Sequence, residues 1–322
     1  MTPRRALLAA ALTPLALPAL AQRAWPAGPI RFMVPFPPGG SVDLVARFLQ
    51  APLQQRLGVA VVVENRSGAS GAIGVNVVAK AAPDGLTFLA ISDVFAALPG
   101  LVPNLPYDAR RDFAPVMLVG TAPMILCAHK SRPWKDMASL VAAAKAAPER
   151  ITCGTSGNGT LAHLAMELMQ QNGGFRTTHV PYRGGAPLVQ ACIAGELDLC
   201  IASAAPLGRL MQDGTLVPLV QTGATRSTLL PNLPTATEMG IPGVDATAFW
   251  CLLAPAGVPQ PVLAEFHAAL VQVLADAELR RKFLDQLGIE VVASDGASFG
   301  RLLEREMEVW AKVIRDTGIK AD

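Results

Sequence analysis

Glycine-rich turns carry the residues best suited to chemistry in this chain. The first is PFPPGGS, residues 35–41, which runs straight into the helical pattern SVDLVARFLQ. Prolines fix φ and lack N–H groups, so they stiffen the entry to the turn. Gly39 and Gly40 reach conformations that side chains exclude. Ser41 suits an N-cap, and Asp43 in the first turn complements the helix dipole. Asp43 and Arg47 are four residues apart and can pair. Such a helix N-terminus offers unpaired N–H groups and roughly half a positive charge, which together attract an anion. Phe36 borders the same turn.

ITCGTSGNGTLAHL, residues 151–164, repeats the device. Ser156, Gly157, Asn158, Gly159 and Thr160 supply backbone and side-chain donors ahead of a second helix. NRSGASGAIG (65–74) and PYRGGAP (181–187) are two further turns, the latter adding Tyr182 and Arg183. Any single turn reads better as a capped strand-to-helix connection, because short glycine-containing links are common. Two matched turns, one in each half of the chain, favour an anion site.

Catalytic motifs are weak. There is no GxxxxGK[ST]; GASGAIG is not GxGxxG; GASGA and GTSGN both miss GxSxG at the last position. Ser92 and Asp93 follow the strand pattern LTFLAIS, where Asp93 either reaches a cleft or caps a turn. His163 follows Thr160 on one helical turn, a position where capping or packing is commoner than proton abstraction. No cofactor motif stands out. The four histidines are scattered, so no metal framework emerges. The five cysteines (127, 153, 192, 200 and 251) lie in apolar runs without a CxxC and read as buried small hydrophobes.

Apolar β-rich runs alternate with helical patterns, which implies parallel sheets with crossover helices. Residues 30–35, 61–65 and 86–92 read as strands around helices at 41–57 and 72–82. After a Pro-rich connection at 98–115, strands at 123–129, 151–155, 178–182 and 197–202 alternate with helices at 139–148, 161–171 and 186–195. A strand at 248–255 and three helical patterns complete the chain. Two α/β units of similar order predict two lobes, with the chain crossing between them near 123–127 and near 247–252.

The sequence has 322 residues, 51% hydrophobic and 16% charged, enough for two domains of ~150 residues each. Residues 1–22, MTPRRALLAAALTPLALPALAQ, place two arginines before a short apolar run and Ala19-Leu20-Ala21. That is the pattern of a secretory signal peptide cleaved after Ala21. Of 27 basic residues, removal of Arg4 and Arg5 leaves 25, equal to the 25 acidic ones. A neutral chain without a basic cluster is a poor partner for nucleic acid.

At VPFPPGGSVDLVAR, ENRSGASGAIG, CGTSGNGTLAHLA, HVPYRGGAPLVQACIAGELD, LPNLPTATEMGIPG and FWCLLAPAGVPQPV the chain resembles the Bug family. These are TctC-like extracytoplasmic solute receptors of tripartite tricarboxylate transporters. The motifs are individually soft, but their order runs over nearly the whole mature chain. The resemblance implies an α/β, type II-like periplasmic binding fold of two lobes, each a sheet flanked by helices, closing on a small organic acid. The expected division is a signal peptide at 1–21, one lobe from 22–124 and 249–322, and the other from 125–248.

Carried over residue by residue, the resemblance points to Phe36, Gly39, Gly40 and Ser41, with Ser156, Gly157, Asn158, Gly159 and Thr160 opposite, and less directly to Tyr182 and Arg183. Where relatives often place an acid, this chain has Ala202 and Ser203, which implies a ligand without an amino group. The partners implied are a membrane transporter or, alternatively, a sensor kinase, with the receptor itself a monomer. A secreted hydrolase or isomerase using Asp93 or His163 is the remaining rival.

Overall fold

The computed structural model describes residues 25–320. The expected signal peptide lies outside the described residues. The first unit comprises β1 (Ile30–Val34), α1 (Ser41–Leu57), β2 (Val61–Asn65), α2 (Ala72–Ala79) and β3 (Thr87–Ser92). Its strands run parallel in the order β2-β1-β3. Ile30, Phe32, Met33 and Val34 of β1 are buried, as a strand covered by helices on both faces requires. Along α1, Val42, Val45, Leu49 and Leu53 form one buried stripe at helical spacing.

Next come α3 (Val94–Leu101) and the 17-residue strand β4 (Phe113–His129). The second unit follows: α4 (Met137–Ala146), β5 (Thr152–Thr155), α5 (Leu161–Gly173), β6 (Thr178–Pro181), α6 (Gly185–Ala194), β7 (Leu199–Ser203), α7 (Ala204–Gln212) and β8 (Leu216–Gln221). The chain ends with β9 (Thr247–Pro255), α8 (Gln260–Leu274), α9 (Ala277–Leu287), β10 (Glu290–Val291) and α10 (Gly296–Thr317).

One curled sheet joins both units in the order β2-β1-β3-β9-β4-β7-β5-β6. The long strand β4 makes this possible. From Phe113 to Pro123 it pairs antiparallel with β9; from Met124 onward it pairs with β7 and β8. Two lobes result, sharing β4 as a common spine. The first lobe also holds the C-terminal helices: Phe88 of β3 stacks on Phe266 of α8 with ring centroids 3.9 Å apart. The second has a smaller apolar cluster of its own around Ile125, Leu188, Cys200 and Leu207.

Two expectations about local structure need correction. The stretch 98–115 is not simply a connection: its first residues finish α3, whose Pro99 lies inside the helix. Burial offsets the lost backbone bond, since Phe95, Ala96, Ala97, Leu98 and Leu101 are all buried. Gly100 lets α10 approach closely; a Cβ there would lie 2.9 Å from Ile314 Cδ1. Strand β4 also begins ten residues earlier than its apolar run from Pro123 suggests. Its ladder to β9 shifts register between Pro115 and Met117 and between Leu118 and Gly120, which breaks the alternation that marks a strand in sequence. Among the described residues, no helix is long and apolar enough to cross a membrane.

Candidate ligand-binding cleft

The turn after β1 is built around a buried carboxylate. Gly39 takes φ +86° and donates its N–H to Asp43 Oδ2 at 2.8 Å. Arg47 Nε reaches the same oxygen at 2.8 Å, forming the pair that the spacing predicts. Asn65, at the end of β2, donates to Asp43 Oδ1 at 2.9 Å and to the Phe36 carbonyl at 3.0 Å. Burial pushes the Asp43 carboxyl up, but the hydrogen bonds from Arg47, Gly39 and Asn65 outweigh it and hold the group below the usual carboxylate range. The Gly39 amide is thus spent inside the turn. Gly40, the N-cap of α1, has no side chain to offer, and the first-turn amides carry no side-chain cap.

The opposing turn, before α5, is closed on itself. Gly157 and Gly159 take φ +142° and +68°. Thr155 Oγ1 accepts from the Gly157 amide at 3.3 Å, and His163 Nδ1 accepts from the Gly159 amide at 3.3 Å. Thr160 caps α5, donating to the Gly157 carbonyl at 2.8 Å and accepting from the His163 amide. His163 is buried and stacks on His179 with ring centroids 3.7 Å apart. That environment suits a packed turn-forming histidine.

Between the two turns lies a cavity of about 730 Å³. It is bordered by the N-terminal residues of five helices: Gly40, Ser41 and Val42 of α1; Asp93 and Val94 of α3; Thr160, Leu161 and Ala162 of α5; Gly184 and Gly185 of α6; and Ser203 of α7. Each helix follows the C-terminal end of a strand, the edge where open α/β sheets hold ligands. Phe36, Ser92, Ser156 and Gly159 complete the predicted residues that line it. Gly39, Gly157, Asn158, Tyr182 and Arg183 do not line the cavity. Arg183 is exposed, and Tyr182 donates its amide to the Thr155 carbonyl at 2.9 Å.

Several lining residues escaped sequence reasoning. Met124 sits where β4 changes partner from β9 to β7, Ala248 lies near the start of β9, and Trp250 and Trp310 form apolar wall. The Trp250 indole N–H donates to Ser41 Oγ at 3.1 Å. Only the FW pair in the strand pattern 248–255 hinted at Trp250; nothing marked Trp310. Gly184 and Gly185 lay in a turn already singled out, though for its Tyr and Arg.

Among the described residues no Lys, Arg or His lines the cavity, so the attraction they offer an anion comes from helix ends. Asp93 is the one ionisable lining group among them. Burial pushes the Asp93 carboxyl up to about 7; backbone hydrogen bonds from Asp93 and Phe249 oppose the rise, and nearby Glu306 adds to it. Glu306, on α10, is itself buried and raised by burial, against the pull of Arg305.

Comparison with known proteins places this geometry. Residues 45–319 match the family model of the TctC, tripartite tricarboxylate transporter family receptor. Protein BugT of Bordetella pertussis is 34% identical over 298 residues, covering 92% of this chain and 91% of that protein. An R. palustris protein solved with adipate superposes with a TM-score of 0.78 at 32% identity, covering 92% of this chain and 99% of that one. MatC from Rhodopseudomonas palustris with bound malate gives 0.74 at 29% identity, covering 90% and 100%. The chain belongs to the family of tripartite tricarboxylate transporter receptors, a solute-binding family that includes the Bug proteins.

Proposed function

We propose that this protein is a periplasmic receptor that captures a small organic acid between its lobes and presents it to a tripartite tricarboxylate-type transporter. The observation that carries the reading is the cavity itself: five helix N-termini converge on a space with no basic side chain. Aligned backbone amides attract a carboxylate without the flexibility of lysine or arginine. The family and the neighbours solved with adipate and malate support this ligand class.

Each lobe offers part of the site, so ligand binds the closed arrangement better and shifts the population toward it. The hinge lies where β4 and β9 pass between lobes, near Pro123–Met124 and Thr247–Ala248, dividing the chain into 22–124 with 249–322 and 125–248. The α1 turn holds the carboxylate most directly, because its amides are uncapped while those of Gly157 and Gly159 serve their own turn. Small hydroxyls at Ser41, Ser92, Ser156 and Ser203 select the remainder of the ligand. Export through residues 1–21 places the protein opposite its transporter. Isothermal titration against mono-, di- and tricarboxylates tests the reading. Saturable binding of one class supports it; binding only of sugars or cations overturns it.

A further inference from the structure

A receptor for anions that lines its cavity with one acid and no base faces an electrostatic conflict. An ionised Asp93 would repel the carboxylate that the helix ends attract. Three features of its surroundings resolve that conflict. Asp93 belongs to none of the ion pairs among the described residues. The acid Glu306 on α10 acts on it electrostatically and is itself engaged by Arg305, which also pairs with Asp245 at 3.0 Å. On β9 the neighbouring titratable group is the buried Cys251 thiol, raised by burial and by Asp93 itself. Asp93 therefore has one acidic neighbour, a neutral thiol and no cation of its own, in a half-buried position on the cavity wall.

We propose, building on the receptor function above, that Asp93 works in its neutral form: it donates a hydrogen bond to an oxygen of the bound acid and makes capture proton-linked. A neutral carboxyl replaces a repulsive contact with a donor, adding to the amides of α1. It also discriminates. A neutral carboxyl gives a ligand ammonium no counter-charge for the hydration it loses, so amino acids bind worse than their unaminated counterparts wherever Asp93 stays protonated.

The burial-driven rise of Asp93 to about 7 puts the transition inside the physiological range. A group that must be protonated in the complex weakens affinity by roughly tenfold per pH unit above its free pKa. The experiment has two parts. First, the side-chain carboxyl ¹³C signal of Asp93, assigned by its loss in Asp93→Asn, is titrated in the free protein. A midpoint between about 6 and 8 supports the proposal, and one in the ordinary Asp range overturns it. Second, affinities for adipate, malate, glutamate and aspartate are measured from about pH 5.5 to 8.5.

Wild-type affinity for the unaminated acid that binds should fall about tenfold per unit at the alkaline end. Asp93→Asn should bind with a flat profile, and Glu306→Gln should shift the break to lower pH. A wild-type profile for the unaminated acid that is flat, or that tightens with pH, overturns the proposal. If none of the four acids binds at any pH, the receptor reading for these ligands fails, while the free-protein titration still decides the state of Asp93.

Discussion

The indole N–H of Trp250 donates to the hydroxyl of Ser41 across 3.1 Å, although the two residues lie 209 positions apart. Trp250 is on β9, which pairs with β3 and with the first half of β4, and Ser41 is the first residue of α1. The bond fixes the hydroxyl as an acceptor from the indole and leaves its proton to point elsewhere, toward a bound oxygen in the proposed complex. It also ties the start of α1 to β9. Trp250→Phe keeps an aromatic in the wall and removes the donor, together with part of a buried ring. Loss of one neutral hydrogen bond is worth about 1 kcal/mol, or about fivefold in Kd. Calorimetry should show that weakening, alongside a lowered thermal midpoint from the smaller ring; unaltered affinity would mean that the bond plays no part in binding.

Ser41→Pro separates backbone from side chain. Proline is tolerated at the first helical position, and Gly40 at φ −74° and ψ 165° already has the extended shape a residue before proline needs. The variant should fold normally but lose one amide donor, weakening a carboxylate by about 2 kcal/mol, roughly thirtyfold. Ser41→Ala keeps that amide and should lose only the smaller hydroxyl contribution. Equal affinities for the two variants would show that the amide is not a ligand contact.

Asp43 should matter for stability more than for ligand chemistry. Its carboxylate ties Gly39, Arg47 and Asn65 together, and Asp43→Ala should cost about 2 kcal/mol in urea unfolding at neutral pH. Its pKa is lowered below the ordinary 3.8, so the folded form favours the ionised group. The stabilisation is therefore present above 3.8 and is lost as pH falls through the lower folded value. The gap between wild type and variant should narrow on acidification below 3.8; a gap that widens would contradict the assignment.

The five cysteines are free and buried. Burial pushes the Cys127 and Cys153 thiols well up, away from the reactive thiolate. Ellman's reagent should leave the native protein untouched and titrate five thiols after denaturation. Rapid labelling of any thiol in the native state would contradict that burial.

The parts of the structure that sequence exposed are those decided locally. The β1 turn and α1 were legible because proline, glycine and an apolar stripe of period 3.6 sit within two dozen residues. The pairing of Asp43 with Arg47 followed from spacing alone. The third partner, Asn65, did not, because it arrives from a neighbouring strand. The same limit hid Trp250 and Trp310, which join the cleft only through tertiary folding. Helix α3 was obscured by Pro99, whose cost is offset by burial that a propensity argument does not see. The turn before α5 was read as open donors, whereas Thr155, Thr160 and His163 absorb part of its backbone polarity. Glycine spacing signals a turn but not who satisfies it.

The most direct test is a crystal structure with the tightest-binding organic acid in the cleft. The account predicts a carboxylate within hydrogen-bond distance of the Ser41 and Val42 amides at the start of α1, with no lysine or arginine in contact. A carboxylate paired with Arg183, or seated away from the α1 terminus, would contradict it.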